Sequence, residues 1–168
     1  MAEIVNRVAN SKLKTFDLEE IYPEGERVAI DISQWLENGF ILREKEFRVQ
    51  LKSFNWNHYT DKYVAIHCST DAVLPAYTYL LVTAHLSGIA KKVVQGSLAN
   101  LELVIFTELL QQLDTKPYEN APVIIKGCSN KPIPESAYLL LFQQLEKVSK
   151  SVMFGEACSS VPIYKKKK

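Results

Sequence analysis

The stretch Val123-Ile124-Ile125-Lys126-Gly127-Cys128-Ser129-Asn130-Lys131-Pro132 decides how the rest of the chain is interpreted. Its apolar first half predicts a short buried strand, and the glycine predicts a turn into a loop that opens with cysteine and serine. The same order of strand, cysteine and serine recurs at 63–69 and 151–159. These three segments hold the three cysteines of the chain, so each thiol is expected at or just past the carboxyl end of a strand.

Strands and helices alternate on both sides of this stretch. Hydrophobic patterns and turn residues predict strands at 27–32, 63–67, 92–95, 122–126 and 151–154. They predict helices at 43–54, 71–87, 98–113 and 135–149. Because this alternation is typical of βαβ units, the expected fold is α/β: a single-domain three-layer sandwich with a mostly parallel sheet of about five strands.

No linker divides the chain into separate domains. Its 168 residues are enough for one buried core, so we predict a single α/β domain over 1–164, with an irregular N-terminal third at 1–58. The four lysines at 165–168 predict a disordered tail, since like charges repel one another. No sequence repeat of ~20–50 residues is evident beyond the alternation itself.

The composition excludes several classes of protein. Hydrophobic residues make up 47% of the chain and charged residues 23%, as in ordinary globular proteins, and no apolar run is long enough to span a membrane. The start, Met1-Ala2-Glu3-Ile4-Val5, does not resemble a secretory signal, so a cytoplasmic location is expected. The net charge is +1 only because of the terminal lysines, which argues against a nucleic-acid surface within the fold.

The three cysteines predict a metal site. Ligands of parallel sheets gather at the carboxyl ends of the strands, where thiols on neighbouring loops can share one ion or cluster. We therefore predict that Cys68, Cys128 and Cys158 bind zinc or an iron–sulfur cluster, with His67 as the nearest candidate for a fourth ligand. No glycine-rich nucleotide-binding signature is present.

Two other interpretations stay open. The chain could be a thiol-dependent enzyme or a sulfur carrier that uses one activated cysteine, with Cys128 as the first choice and Lys131 as a nearby cation. It could instead be a non-catalytic interaction module whose cysteines only pack in the core. Asp31, Asp71 and Glu156 also lie at predicted strand ends. Neither an enzymatic activity nor an oligomeric state follows from these patterns.

Several blocks of the sequence together resemble a known family. They are Ile4-Val5-Asn6-Arg7-Val8-Ala9, Tyr22-Pro23-Glu24-Gly25-Glu26-Arg27, Asp61-Lys62-Tyr63-Val64-Ala65, Lys126-Gly127-Cys128-Ser129-Asn130-Lys131-Pro132 and Met153-Phe154-Gly155-Glu156-Ala157-Cys158-Ser159-Ser160-Val161-Pro162. The chain resembles the bacterial domain-of-unknown-function family 2480 over essentially its whole length. The resemblance implies no assigned activity and no catalytic residues. It implies genes near those of the sulfur-mobilisation system, and hence iron–sulfur assembly proteins as partners, in agreement with a cysteine site.

Overall fold

The structure is a computed structural model that describes residues 12–127, 130–156 and 158–167. The chain divides into two compact units. Unit 1 combines Met1–Pro23 with Ile105–Lys168, and unit 2 is the continuous segment Glu24–Val104 between them. The second boundary between the units falls inside a helix, Leu98–Gln111.

The elements follow one another as short strands and helices of ten to fourteen residues. The strands are β1 (Lys14–Phe16), β2 (Arg27–Asp31), β3 (Tyr63–His67), β4 (Lys92–Gln95), β5 (Pro122–Ile125), β6 (Ser151–Glu156) and β7 (Ser159–Lys165). The α-helices are α1 (Glu44–Ser53), α2 (Ala76–Leu86), α3 (Leu98–Gln111) and α4 (Glu135–Leu145). Four single 3₁₀ turns complete the described elements, at Leu18–Ile21, Ile32–Trp35, Trp56–Tyr59 and Lys116–Tyr118.

Unit 2 is built on a three-stranded parallel sheet in the order β2-β3-β4. The strand side chains Ile30, Val64 and Ile66 share one buried core with helices α1 and α2. Phe47 on α1 and Val82 on α2 are fully buried there. Burying an aromatic or branched side chain of this kind stabilises a fold by roughly 1.5–3 kcal/mol, so the apolar periodicity of both helices determines which face packs on the sheet.

Unit 1 is built on a four-stranded sheet in the order β1-β5-β6-β7. The first three strands are parallel, and β7 returns antiparallel to β6. Its core joins Val123 and Val152 of the sheet with Phe106 of α3 and Leu141 of α4. Strand β1 enters this sheet from the N-terminal part of the chain and pairs Thr15 with Ile124.

The two units repeat the same sequence of elements. Each residue of 42–96 corresponds to one residue of 101–155. The two members of every pair are separated by the same distance along the chain, which is the distance from Val64 to Val123. The strand registers agree with it, since Val64 pairs with Val93 and Val123 with Val152. Identical residues at the offset include Phe47 and Phe106, Leu51 and Leu110, Tyr59 and Tyr118, Pro75 and Pro134, Tyr79 and Tyr138, and Gly96 and Gly155.

Turns and packing follow the same offset. Asp61 and Asn120 both adopt a left-handed backbone, with φ of 58° and 54°. Their N–H groups donate to equivalent carbonyls, of Ile89 at 3.0 Å and of Val148 at 2.9 Å. Helices α2 and α4 bury equivalent positions, Thr78, Val82 and Leu86 in the first and Ala137, Leu141 and Leu145 in the second. The chain therefore contains a duplicated fold, which a search for periods of ~20–50 residues misses because this period is longer.

The structure confirms the α/β class and changes the predicted sheet. The strands form two mostly parallel sheets of four and three strands instead of one sheet of about five. Strands β1 and β7 were not predicted from the sequence. β1 has only three residues, and Pro162 in β7 lacks the backbone N–H group that a strand residue normally donates. Lys165, assigned to a disordered tail, pairs with Ser151, and the N–H of Lys166 donates to the Lys150 carbonyl at 3.0 Å.

Candidate functional site

An aspartate stands at the carboxyl end of the first strand in each unit. Asp31 is the last residue of β2, and Asp17 directly follows β1. Both carboxylates cap the 3₁₀ turn that follows: Asp31 accepts from the Ser33 N–H at 2.9 Å and Asp17 from the Glu19 N–H at 2.9 Å. An aspartate is favoured here because its short side chain satisfies a backbone donor that the turn leaves free. We call each aspartate with its partners a strand-end latch.

In unit 2 the latch joins β2 to the loop after β3. Asp31 accepts a second backbone hydrogen bond from the Ser69 N–H at 3.0 Å and one from the Ser69 hydroxyl at 2.5 Å. Partial burial acts to raise the pKa of Asp31, but hydrogen bonds from Ser69 and Ser33 outweigh it and hold this pKa far below its ordinary 3.8. A carboxylate with so low a pKa is a poor general base, so Asp31 fixes the loop rather than moving protons.

Cys68 lies in the loop that this latch holds. It is half-buried and packs against the apolar core of unit 2. Its Sγ lies 3.3 Å from the Thr70 hydroxyl, which donates its only proton to the Gly39 carbonyl at 2.6 Å. The Cys68 thiol is therefore the donor in its contact with Thr70, an arrangement that suits a neutral, packed cysteine. His67 ends β3 beside Asp31 in the register of the sheet.

In unit 1 the latch contains an ion pair. The Lys126 ammonium, directly after β5, donates to Asp17 at 2.7 Å. Burial acts to raise the pKa of Asp17, but the hydrogen bonds from Lys126 and from the Glu19 N–H lower it below 3.8. The hydrogen bond to Asp17 in turn raises the pKa of Lys126 above its ordinary 10.5. Both groups are therefore charged over the physiological range of pH.

The loop after β5 has a second attachment to the same 3₁₀ turn. The Glu19 carboxylate accepts hydrogen bonds from the N–H groups of Asn130 and Lys131, and the Lys131 ammonium donates to the Glu19 carbonyl at 3.3 Å. That ammonium also lies 5.2 Å from the centre of the Tyr22 ring. The chain is therefore fixed on both sides of the cysteine-serine pair at 128–129, which itself lies outside the described residues.

Cys158 is exposed in the turn between β6 and β7, next to the paired residues Glu156 and Ser159. Gly155 precedes this turn with a φ of 121°, and a Cβ there would lie 2.6 Å from the Ser159 carbonyl oxygen. A Cβ on Gly127, after β5, would meet the Phe154 ring at 3.0 Å and the Gly155 Cα at 3.4 Å. Gly127 therefore allows the backbone after β5 to approach β6 closely, and Gly155 allows the end of β6 to approach the start of β7.

The predicted ligands are divided between the units. Cys68 and His67 belong to unit 2, Cys158 belongs to unit 1, and Cys128 lies outside the described residues. Within 12–127, 130–156 and 158–167, no three His, Cys, Asp or Glu side chains are grouped so that they could hold a metal ion. The ligand set of three cysteines and His67 therefore stays a prediction. In the same ranges no helix is both long and apolar enough to cross a membrane.

Sequence reasoning missed Asp17 and Glu19, the two side chains that fix the loop after β5. A signal for them was present. The segment after Asp17 and the segment after Asp31 both place an apolar residue first and fourth, Leu18 and Ile21 in one and Ile32 and Trp35 in the other. Alignment of the two aspartates would have indicated equivalent turns.

Comparison with protein families gives a match over almost the whole chain. The model of a family described as "Protein of unknown function (DUF2480)" matches residues 2–166 of the chain. No curated protein and no solved structure matches the chain.

Proposed function

The chain belongs to the DUF2480 family, and from its geometry we propose that it binds a thiophilic metal ion or an iron–sulfur cluster through Cys128 and Cys158 of unit 1. The observation that carries the proposal is the adjacency of β5 and β6, with Ile125 paired to Phe154. Cys158 is exposed just after β6, and the sequence places Cys128 three residues after β5. Neighbouring strands lie ~4.8 Å apart, which is compatible with two thiolates on one ion.

Cys68 is left out of this ligand set. Its thiol packs on the core of unit 2 and is used as a donor to Thr70, whereas a metal ligand must be a thiolate. Two protein thiolates would leave positions open on a four-coordinate metal, unlike a closed structural site. An open site of this kind suits transfer of a metal or cluster, with iron–sulfur assembly proteins as the proposed partners.

Anaerobic reconstitution tests the proposal. The full chain is incubated with iron and sulfide, or with zinc alone, desalted, and assayed for metal content and visible absorbance. We expect Cys128→Ser and Cys158→Ser each to lose most of the bound metal, and the matched control Cys68→Ser to keep it. Wild-type protein that stays metal-free under both conditions, or loss of metal in Cys68→Ser alone, would contradict the proposal.

A second candidate is thiol chemistry at Cys128, as an enzyme or a sulfur carrier. The observation that favours it is the position of two cations, Lys126 and Lys131, within three residues of this cysteine along the chain. Positive charge near a thiol stabilises the thiolate. Alkylation rates measured against pH, by mass spectrometry of each cysteine peptide, separate the candidates. Metal-free protein in which Cys128 reacts much faster than Cys158 below pH 7 would favour thiol chemistry.

A further inference from the structure

A cavity of about 420 Å³ belongs entirely to unit 2. Sites for small organic molecules usually measure ~300–1,000 Å³, so its size suits a ligand of that kind. None of its lining residues takes part in the latches or in the candidate metal site. They come from the segment after β2 and from the start of α1, and they are Trp35, Leu36, Glu37, Arg43, Glu46 and Gln50.

The floor of the cavity is apolar and well packed. Trp35 ends the 3₁₀ turn after β2, Leu36 follows it, and both side chains are buried. The Trp35 ring packs edge-on against the rings of Phe47 and Phe54, with centroids 6.0 Å and 5.1 Å apart. A ligand therefore meets a preformed apolar surface, which favours an organic molecule over a bare ion.

One wall of the cavity is a tight turn between Glu37 and Ile41. The Glu37 N–H donates to the Ile41 carbonyl at 2.9 Å, and the Ile41 N–H donates to the Glu37 carbonyl at 3.0 Å. Asn38 and Gly39 within the turn have φ of 51° and 78°, and the Gly39 carbonyl accepts from the Thr70 hydroxyl at 2.6 Å. The turn is fixed at its base and at its tip, so Glu37 is held in place beside the cavity.

The charges of the lining are negative in balance. The Arg43 Nε donates to the Glu37 carboxylate at 2.7 Å, which neutralises that carboxylate. The hydrogen bond to Glu37 and the charge of Glu37 raise the pKa of Arg43, and the charge of Glu46 raises it further. Two carboxylates thus act on one guanidinium. An anion entering the cavity is repelled, whereas a cation restores the balance.

The indole N–H of Trp35 is a hydrogen-bond donor without an acceptor. Of the two tryptophans, Trp56 donates to the Leu51 carbonyl at 2.8 Å. For Trp35, of which only 6% is exposed, no acceptor lies within the part of the chain that the structure describes. Its N–H is not among the fully enclosed polar atoms, so it is open to a molecule in the cavity. Buried tryptophan N–H groups usually have an acceptor, which a ligand oxygen would supply here.

The duplicated fold shows that this cavity is not a requirement of the architecture. Glu46 and Gln50 on α1 correspond to Ile105 and Leu109 on α3. Ile105 is buried, whereas Glu46 and Gln50 are exposed. The polar side of the cavity is therefore specific to unit 2.

We propose that this cavity binds a small organic amine that also carries a hydroxyl or carbonyl oxygen. The ammonium group pairs with Glu46, the oxygen accepts from the Trp35 N–H, and the apolar part contacts Leu36 and the Trp35 ring. Gln50 lies one helical turn after Glu46, and its amide can hydrogen-bond to either polar group of the ligand.

Titration of the full chain with three matched compounds tests the proposal. Phenylethanolamine, styrene glycol and mandelate share an aromatic ring and a hydroxyl group, and they carry positive, zero and negative charge. The proton–nitrogen correlation spectrum contains one indole signal for each tryptophan, and Trp35→Phe assigns them. Below ~10 mM, phenylethanolamine should shift the Trp35 signal saturably, and mandelate should bind at least ~10-fold more weakly, with styrene glycol between them. The Trp56 signal should stay in place because its N–H is already bonded to Leu51.

Removal of one carboxylate locates the ammonium group. Glu46→Gln should weaken the binding of phenylethanolamine about 3–5-fold, which is the range for an exposed ion pair. The matched control Glu44→Gln removes a carboxylate of the same helix that pairs with Arg48, and it should bind like the wild type. The absence of a saturable Trp35 shift with phenylethanolamine, or an equal shift with mandelate, would overturn the proposal. Equal weakening by Glu44→Gln and Glu46→Gln would contradict a contact with Glu46.

Discussion

The two strand-end latches occupy the same place in the duplicated fold, and the contacts described for the two aspartates differ in charge. In unit 2, Asp31 accepts from the neutral N–H and hydroxyl of Ser69. In unit 1, Asp17 accepts from the charged ammonium of Lys126. The comparison shows that the aspartate and its turn satisfy a requirement of the backbone in both units. Lys126 stands where unit 2 has His67, whereas the counterpart of Ser69 is residue 128, which lies outside the described residues. Unit 1 therefore has a charged group, the Lys126 ammonium, beside its candidate site.

The largest expected effects test whether the units are equivalent at all. Phe47 and Phe106 occupy equivalent positions and are both fully buried. Phe47→Ala and Phe106→Ala should each lower the free energy of unfolding of their own unit by about 3–5 kcal/mol, since each leaves a cavity. Hydrogen exchange measured by mass spectrometry reports peptides of each unit separately. A large effect from one substitution and almost none from the other would show that the two units are not equivalent.

Removal of the latch aspartates should lower the free energy of unfolding by different amounts in the two units. Both losses should be smaller than those of the phenylalanine substitutions. Asp31→Ala leaves two backbone N–H groups and one hydroxyl without their charged acceptor, which we expect to cost about 2–3 kcal/mol. Asp17→Ala removes a cap, at about 1 kcal/mol, and leaves Lys126 to be solvated by water. Urea denaturation followed by circular dichroism measures both. Equal losses would show that the partner group is unimportant.

Acid should weaken both latches and weaken that of unit 2 more. The pKa values of Asp31 and Asp17 are both lowered in the folded state. The stability that each contributes is present above the unfolded value of 3.8 and is lost as the pH falls through the folded pKa. Hydrogen exchange of the 63–69 and 122–127 peptides between pH 5 and ~2 should therefore show the larger loss at 63–69. Asp31→Asn, the control, should remove most of that difference.

Alkali should have the smallest effect on the latches and should weaken only the latch of unit 1. The folded-state pKa of Lys126 is raised, so its contribution is present below 10.5 and is lost as the pH rises through the folded pKa. The latch of unit 2 has no such cation. A modest fall in the melting temperature of unit 1 above pH ~10.5 is expected from Lys126. Burial raises the pKa of Tyr59 in unit 2 and of Tyr118 in unit 1, so both units also lose stability as these phenols ionise. Lys126→Met should reduce the fall in unit 1 and leave that in unit 2 unchanged, and an unchanged fall in unit 1 would contradict the assignment to Lys126.

Local patterns were sufficient to predict most elements of the fold. The segments that became β3 and β4 were predicted with the bounds that the structure shows, because each is a short apolar run between turn residues. Helix α2 begins at Ala76 instead of residue 71, since Pro75 stands before the helix and the loop ahead of it belongs to the latch of unit 2. The pairing of β1 with β5 has no local signal, because Thr15 and its partner Ile124 are far apart in sequence.

The candidate site could be predicted less well than the fold. Residue spacing placed the cysteines at strand ends, and the structure describes Cys68 after β3 and Cys158 after β6. Spacing could not indicate that α3 passes from one unit to the other, which assigns these two cysteines to different sheets. It also could not show that the Thr70 hydroxyl is already committed to Gly39, which makes Cys68 a donor.

The discontinuity of unit 1 has a consequence for biosynthesis. Every strand of the sheet of unit 2 has been synthesised once Gln95 has left the ribosome, whereas β1 then still lacks its partner strand β5. At ~5–20 residues per second, β1 waits several seconds for that partner. During this interval the nascent chain has all strands of one sheet and one strand, β1, without a partner. The segment around Thr15 is therefore a site at which a chaperone would bind the nascent chain.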